Sequence, residues 1–250
     1  MNDVLAALGW RVSLRQRLTL VGYIFFLSAV FTVGGYAIAL PFGDRTYVVE
    51  LLLWIPWLIW LGYVFPRDHA RAATAASPLP YRRAFFRQVA PGVSWNFAQM
   101  ARPGLVGACD GGFGQLRPVP VAVGLCVVAA GATVIHIALR SLGVSRALFL
   151  SEYRIRPESR PLVTVGVYGW LRHPLFVGGV VTSLGIGVFF CTPGPLGTAL
   201  ANAAVLPVYQ VLEDARCRRV HASYRDYQQS VAGLVPDVRR LGRQRSTEPH

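Results

Sequence analysis

An uncharged run of 38 residues, Leu175 to Leu212, contains no Asp, Glu, Lys or Arg. A run of this length is typical of membrane-embedded chain, and it is too long for one crossing because a helix spans the hydrocarbon core with about 20 residues. The sequence Thr192-Pro193-Gly194-Pro195 divides it into two parts of about 17 residues each. We therefore predict a tight hairpin of two transmembrane helices whose outer ends lie at the same membrane surface.

Three further segments have the length and composition of membrane spans: Leu18–Leu40, Thr46–Phe65 and Val119–Leu139. Charged residues make up only 15% of the chain, against about 25% in a typical soluble domain. Together with the hairpin, these segments predict an all-α integral membrane protein with five strong transmembrane helices. Glu50 is the one charged residue in the second span, and we expect it to be solvated or paired with Arg45.

The loops between these spans raise a problem of parity. Residues 66–117 look like a polar, arginine-rich insert broken by prolines. If this insert stayed on one side, the loop 140–174 would lie opposite the N-terminus, although both are rich in arginine and should be cytoplasmic. Gln88–Ala108 is the candidate for a sixth crossing or a re-entrant segment, weakened by Arg102.

The net charge of +13 comes from 25 arginines without a lysine. These arginines lie between the apolar spans, where they fit anionic lipid headgroups better than nucleic acid. The four cysteines form no C-x-x-C pair, and no metal site is indicated. The predicted partner is the lipid bilayer, with no nucleic acid and no metal.

The residues that flank the hairpin indicate a ligand site. Arg172 carries a planar fork of donors suited to a carboxylate, and His173 can donate or accept near neutral pH. Pro174 is well placed as the first residue of a helix. Because the hairpin returns to the same surface, Glu213 and Asp214 should meet this cationic pair, and the combination suits a zwitterion such as an amino acid group.

These residues also carry a family resemblance. The run Val163-Thr164-x-Gly166-x-Tyr168-x-x-x-Arg172-His173-Pro174-x-Phe176-x-Gly178 resembles the R-H-P-x-Y motif of the isoprenylcysteine carboxyl methyltransferase and phospholipid methyltransferase superfamily. Glu213-Asp214, Tyr224-x-x-Tyr227 and Pro236 follow in the order found in that family, and the resemblance covers residues 119–237. Phe176 stands in place of the usual Tyr, and Asp214 in place of the second Glu.

The resemblance implies an integral membrane methyltransferase that uses S-adenosylmethionine. Its acceptor would be a carboxylate, thiol or amine that is lipophilic or accessible from the membrane. The implied catalytic residues are Arg172, His173 and Glu213. The implied cofactor-binding residues are Gly166, Tyr168, Arg172, His173, Pro174, Leu175, Glu213 and Asp214.

The expected organisation is an N-terminal membrane region at 1–117, a methyltransferase-like core at 118–238 with a cytoplasmic tail, and a disordered end at 239–250. The expected location is the bacterial inner membrane, with the site facing the cytoplasm. An NADPH-dependent membrane reductase is an alternative, although Leu175 and Gly179 stand where such enzymes tend to have Asn and an acidic residue. A non-catalytic membrane protein that retains the fold is a third interpretation.

Overall fold

The computed structural model describes residues 1–67, 81–150, 153 and 162–235, and within these ranges the chain is helical and contains no strand. The six long helices of these ranges are α1 Leu14–Ala39, α2 Thr46–Ile59, α3 Ala90–Cys109, α4 Pro118–Leu142, α5 Pro174–Phe190 and α6 Pro193–Val220. A short helix at Asn2–Ala7 precedes them, and α7, Tyr224–Ser230, follows.

Four of the helical segments are long and apolar enough to cross a membrane: Leu14–Gly43, Thr46–Arg67, Pro118–Leu142 and Pro193–Val220. Helix α5 is apolar as well, but it has only 17 residues. The prediction of an all-helical membrane protein is confirmed. The full number of crossings, five or six, stays a prediction.

The hairpin of α5 and α6 forms where the sequence places it. His173 caps α5 and Pro174 is its first residue, and α6 begins at Pro193 after Cys191 has adopted a left-handed conformation with φ of 53°. Helix α6 continues past Leu212, so the two acidic residues lie inside it and not at its end. The residues from 213 to 220 include neither Gly nor Pro, which leaves the helix free to propagate.

The prediction of a polar insert at 66–117 is wrong for its second half, because Ala90–Cys109 forms helix α3 within the bundle. The Ser94 hydroxyl donates to the carbonyl of Ile24 at 3.0 Å, and Arg102 lies against Gly35. The residue numbers of these two contacts increase in the same direction along both helices, so α3 runs parallel to α1. Helix α3 also packs against α5 and α6.

Helix directions alternate through the bundle as a result. At the start of α3, Gly92 lies against Trp57 and Trp60 at the end of α2, which makes these two helices antiparallel. The Asp3 carboxylate lies 3.4 Å from the Ser145 hydroxyl, so the N-terminus and the chain after α4 share one end of the bundle. The direction of α3 is the one that an extra crossing would need to place the N-terminus and the chain after α4 on the same side.

Glycines bring α4 and α5 into close contact. A Cβ atom added to Gly124 would lie 2.6 Å from the backbone nitrogen of Phe189, and one added to Gly185 would lie 2.6 Å from that of Val128. Small residues at such a seam let two membrane helices approach closely enough for backbone packing. The seam fixes α5, whose first turn follows the Arg-His pair.

A buried ion pair joins α2 to α3. Arg102 Nη1 donates to Glu50 Oε2 at 2.6 Å, and both side chains are 1% exposed. The expectation that Glu50 is solvated or paired with Arg45 is therefore wrong. The physical reason is that α3 packs into the bundle, where an isolated carboxylate would be strongly unfavourable and Arg102 compensates its charge.

Asn202 ties together four helices next to this pair. Its Oδ1 accepts from Trp54 Nε1 at 2.8 Å, and its Nδ2 donates to the carbonyl of Gln99 at 2.7 Å and to the Ser183 hydroxyl at 3.0 Å. Helices from both sides of residue 117 thus pack together, and the predicted division into 1–117 and 118–238 stays a prediction. The predicted tail at 239–250 and the motif residue Pro236 lie outside the described residues.

Candidate active site

Asp214 is the centre of a hydrogen-bond network beneath the R-H-P motif. Its Oδ2 accepts from Arg172 Nη2 at 3.0 Å and from Gln228 Nε2 at 3.2 Å. Its Oδ1 accepts from the Tyr224 hydroxyl and lies 2.8 Å from His173 Nε2. Because a carboxylate only accepts, the proton of His173 is held on Nε2, and Nδ1 is the ring nitrogen left for other contacts.

Arg172 also holds the chain that follows α7. Its Nη1 donates to the carbonyls of Gln228 and Val231, each at 2.7 Å, and its backbone N–H donates to Ala232 at 2.9 Å. Its Nε is buried and has no hydrogen-bond partner among the described residues. Arg172 therefore holds the chain after α7 in place, and its Nε–H stays free of any partner in the described part of the chain.

Glu213 has its own cationic partner. Arg216 reaches both carboxylate oxygens of Glu213, with Nε 2.8 Å from Oε2. The guanidinium of Arg216 lies over the rings of Phe65 and Phe149, 5.5 and 5.0 Å from their centroids. The pair is buried and locally neutral, and it links α6 to the segment that follows α2.

A cavity of about 180 Å³, here called the polar cavity, opens between the R-H-P loop, α6 and α7. The predicted site residues on its walls are Tyr168, Arg172, His173, Pro174, Leu175 and Glu213. The structure brings these six together. Asp214 does not line the cavity, but it contacts Arg172 and His173, which do. Gly166 does not line it either and lies beside Ser141 in the preceding turn, with φ of 62°.

Three tyrosines close the polar cavity on the side of the C-terminal segment. The Tyr227 hydroxyl donates to the carbonyl of Tyr168 at 2.7 Å. Burial raises the pKa of Tyr224 above its ordinary value, and its hydrogen bond to the Asp214 carboxylate adds to the increase. Burial likewise raises the pKa values of Tyr168 and Tyr227. All three phenols are therefore neutral donors at physiological pH.

A second cavity of about 350 Å³, here called the apolar cavity, adjoins the first. Its walls include Leu20, Ile24, Phe97, Met100, Ile135 and Leu139. Five residues line both cavities: Ala147, Phe149, Leu175, Phe176 and Tyr209. The rings of Phe176 and Tyr209 are stacked, with centroids 3.5 Å apart and planes at 4°. Polar and apolar cavities thus meet at an aromatic partition.

Sequence reasoning did not include Tyr209, Arg216 or Arg146 among the site residues, although all three line the polar cavity. A signal for the first two was available, because Tyr209, Glu213 and Arg216 are spaced by four and three residues and lie on one helix face. Arg146 lies in the short helix Val144–Ala147. Its contribution depends on how the chain folds back after α4, and local sequence does not specify this.

The fold and this pair of cavities define an all-helical membrane protein with a charged site at one end of its bundle. Over 88 residues the chain is 32% identical to protein-S-isoprenylcysteine O-methyltransferase of Xenopus laevis. That match covers 34% of this chain and 30% of the relative, so the chain spans about a third of the length of the curated protein that it matches. No family model matches the chain, and no solved structure matches it.

Proposed function

We propose that this protein is an S-adenosylmethionine-dependent methyltransferase whose acceptor has a polar head and an apolar chain. The observation that carries the proposal is the junction of two cavities, one lined by the R-H-P motif and Glu213, the other by hydrophobic side chains. A cofactor with charged groups fits the first, and a lipophilic acceptor fits the second. The partial similarity to a methyltransferase supports the same assignment.

The residues of the polar cavity fit the chemical groups of S-adenosylmethionine. Its carboxylate would meet Arg172, whose buried Nε–H lacks a partner among the described residues, together with His173. Its ammonium group would meet Glu213. Tyr168 offers an aromatic surface, and backbone at Gly166, Pro174 and Leu175 would complete the wall. Asp214 would act by orienting the two cationic side chains.

The reaction chiefly needs alignment and the exclusion of water. When bound, S-adenosylmethionine supplies a methyl group on a positively charged sulfur, which keeps the bonding electron pair when the acceptor lone pair takes the methyl group. Phe149, Phe176 and Leu175 provide an apolar partition where the two cavities meet. A carboxylate or thiolate acceptor needs no base. For a thiol or amine, His173 Nδ1 would take the proton, because both carboxylate oxygens of Glu213 already accept from Arg216.

We propose that the site lies at the cytoplasmic surface, and the distribution of arginine supports this. The end of the bundle that carries the site also carries Arg11, Arg15, Arg17, Arg140, Arg146, Arg218 and Arg219. Arg45 and Arg117 lie at the opposite end, after α1 and before α4. Positive residues concentrate on the cytoplasmic side of membrane proteins.

Calorimetry with detergent-purified protein tests the proposal. S-adenosylhomocysteine and NADPH are titrated separately into the wild type and into Arg172→Ala, His173→Ala and Glu213→Ala. Arg225→Ala, an exposed arginine on α7, is the matched control. We expect S-adenosylhomocysteine binding that is weakened in the three site variants and retained in the control. Binding of NADPH alone would indicate the reductase, and binding of neither would indicate a non-catalytic protein.

A further inference from the structure

The junction of the two cavities is almost entirely apolar. Among the described residues, five line both cavities, and four of them are Ala147, Phe149, Leu175 and Phe176. Tyr209 is the fifth, and its hydroxyl is the one side-chain hydrogen-bonding group that this set offers. An acceptor whose chain lies in the apolar cavity must present its polar head at this junction to reach the polar cavity.

The ring of Tyr209 is held in a fixed position by its neighbours. It stacks on Phe176 with centroids 3.5 Å apart, and it meets the ring of His173 edge-on with centroids 6.2 Å apart and planes at 84°. These two ring contacts restrict rotation of the ring. Tyr209 is therefore a rigid element of the partition, suited to orient a ligand.

Tyr209 also lines the polar cavity. Glu213, Arg216, Cys217 and Tyr168 line the same cavity. The helix geometry agrees, because Glu213 follows Tyr209 by one turn on the same face of α6. Tyr209 thus borders both cavities, and the charged pair of Glu213 and Arg216 lies one to two turns further along α6.

We infer that Tyr209 is the positioning residue for the acceptor: its phenol hydrogen-bonds the polar head of an amphiphile whose chain occupies the apolar cavity. The inference rests on the proposed methyltransferase function and deepens it. It also accounts for Phe176, which stands where the resembling family has a Tyr. Phe176 lacks the hydroxyl of that Tyr, and the ring of Tyr209 stacked against it carries one. The junction keeps one phenol, contributed by α6 instead of α5.

Moving the phenol hydroxyl from the ring of Tyr209 to the ring of Phe176 tests this role. The variants are Tyr209→Phe, the double variant Phe176→Tyr/Tyr209→Phe, and Tyr63→Phe, which removes an exposed phenol as a matched control. Transfer of labelled methyl from S-adenosylmethionine is measured with four amphiphiles: N-acetyl-S-farnesylcysteine, dodecanethiol, dodecanoic acid and phosphatidylethanolamine. Affinity for S-adenosylhomocysteine and the melting temperature are measured on the same samples.

We expect Tyr209→Phe to raise the acceptor KM about tenfold, the effect of one lost hydrogen bond. Its affinity for S-adenosylhomocysteine and its melting temperature should match those of the wild type, because the stacked ring remains. The double variant should bring the acceptor KM most of the way back to the wild-type value. A purely structural role of Tyr209 would not produce this recovery. Tyr63→Phe should behave like the wild type.

Each other outcome is decisive. An unchanged acceptor KM in Tyr209→Phe overturns the inference and leaves the methyltransferase proposal in place. Weaker S-adenosylhomocysteine binding with an unchanged acceptor KM overturns it as well, because Tyr209 would then serve the cofactor. Binding of S-adenosylhomocysteine without transfer to any of the four amphiphiles contradicts an amphiphilic acceptor. Failure of the wild type to bind S-adenosylhomocysteine overturns the proposed function and the inference together.

Discussion

Glu50 and Arg102 form an ion pair of 2.6 Å between α2 and α3, 52 residues apart in the chain and closed off from solvent. The pair neutralises the charge that made α3 look unfit for the membrane. The bundle can therefore hold a helix whose own sequence is a weak membrane span, provided that the two partners are present together.

Removing one partner of this pair should destabilise the protein more than removing both. Glu50→Leu leaves a buried guanidinium without compensation, and we expect a loss of about 3–5 kcal/mol in unfolding free energy. The double variant Glu50→Leu/Arg102→Leu should recover most of it. Unfolding in detergent by circular dichroism measures both. Arg45→Leu, at the partner expected from sequence, is the control, and equal losses in single and double variants would contradict the coupling.

A side chain at Gly35 should destabilise the protein, because the guanidinium of Arg102 fills the space beside it. A Cβ atom there would lie 2.6 Å from Arg102 Cζ, whereas one on the adjacent Gly34 would meet nothing within 4 Å. We expect Gly35→Ala to lower the unfolding free energy by about 1–3 kcal/mol, with Gly34→Ala close to neutral. The same unfolding measurement compares the two, and similar values for both variants would refute the packing argument.

Asp214 should be needed for cofactor binding although it does not line the polar cavity. Asp214→Asn removes the charge that orients Arg172 and His173, and we expect S-adenosylhomocysteine affinity to fall about tenfold or more. Asp226→Asn, at an exposed carboxylate on α7, is the matched control. Calorimetry measures both. Full affinity in Asp214→Asn would show that the two cationic side chains hold their positions without this carboxylate.

Tyr224 should make stability fall at high pH. Its folded-state pKa is raised, while in the unfolded chain the phenol titrates near 10. Its stabilising contribution is therefore complete below pH 10 and is lost as the pH rises above it, by about 1.4 kcal/mol per pH unit at most. Melting temperatures between pH 9 and 11 should decline less steeply in Tyr224→Phe. Parallel curves for wild type and variant would rule out this linkage.

Apolar length and turn residues were sufficient to predict the hairpin. The uncharged run ending at Leu212 and the Pro-Gly-Pro break specify two helices and bring their outer ends together, so the proximity of His173 and Asp214 followed from topology. The continuation of α6 to Val220 was not predicted. The apolar pattern stops at the charged residues, but those residues still favour a helix, so the helix continues beyond the apolar run. Acidic residues at a membrane edge can lie within a helix as readily as at its end.

Interactions between helices that are distant in the chain could not be predicted from the sequence. Nothing local to Arg102 indicates that Glu50 neutralises it, and nothing local to Tyr209 indicates that Phe176 lies against its ring. Each position depends on how helices pack, and packing within a membrane follows from small residues and polar contacts distributed over the whole chain. The contact of Asp214 with Arg172 and His173 was expected from the hairpin, whereas the pair that Glu213 forms with Arg216 was not part of the predicted site.

The contact of Arg172 with the chain after α7 has a consequence for biosynthesis. Its side chain donates to the carbonyl of Val231, which is synthesised 59 residues later. The polar cavity therefore lacks one of its walls until α7 and the residues after it have left the ribosome. During synthesis, α5 and α6 can enter the bilayer while this cavity is still open on one side. A nascent chain arrested after α6 would therefore be fully embedded in the membrane and still unable to retain a ligand.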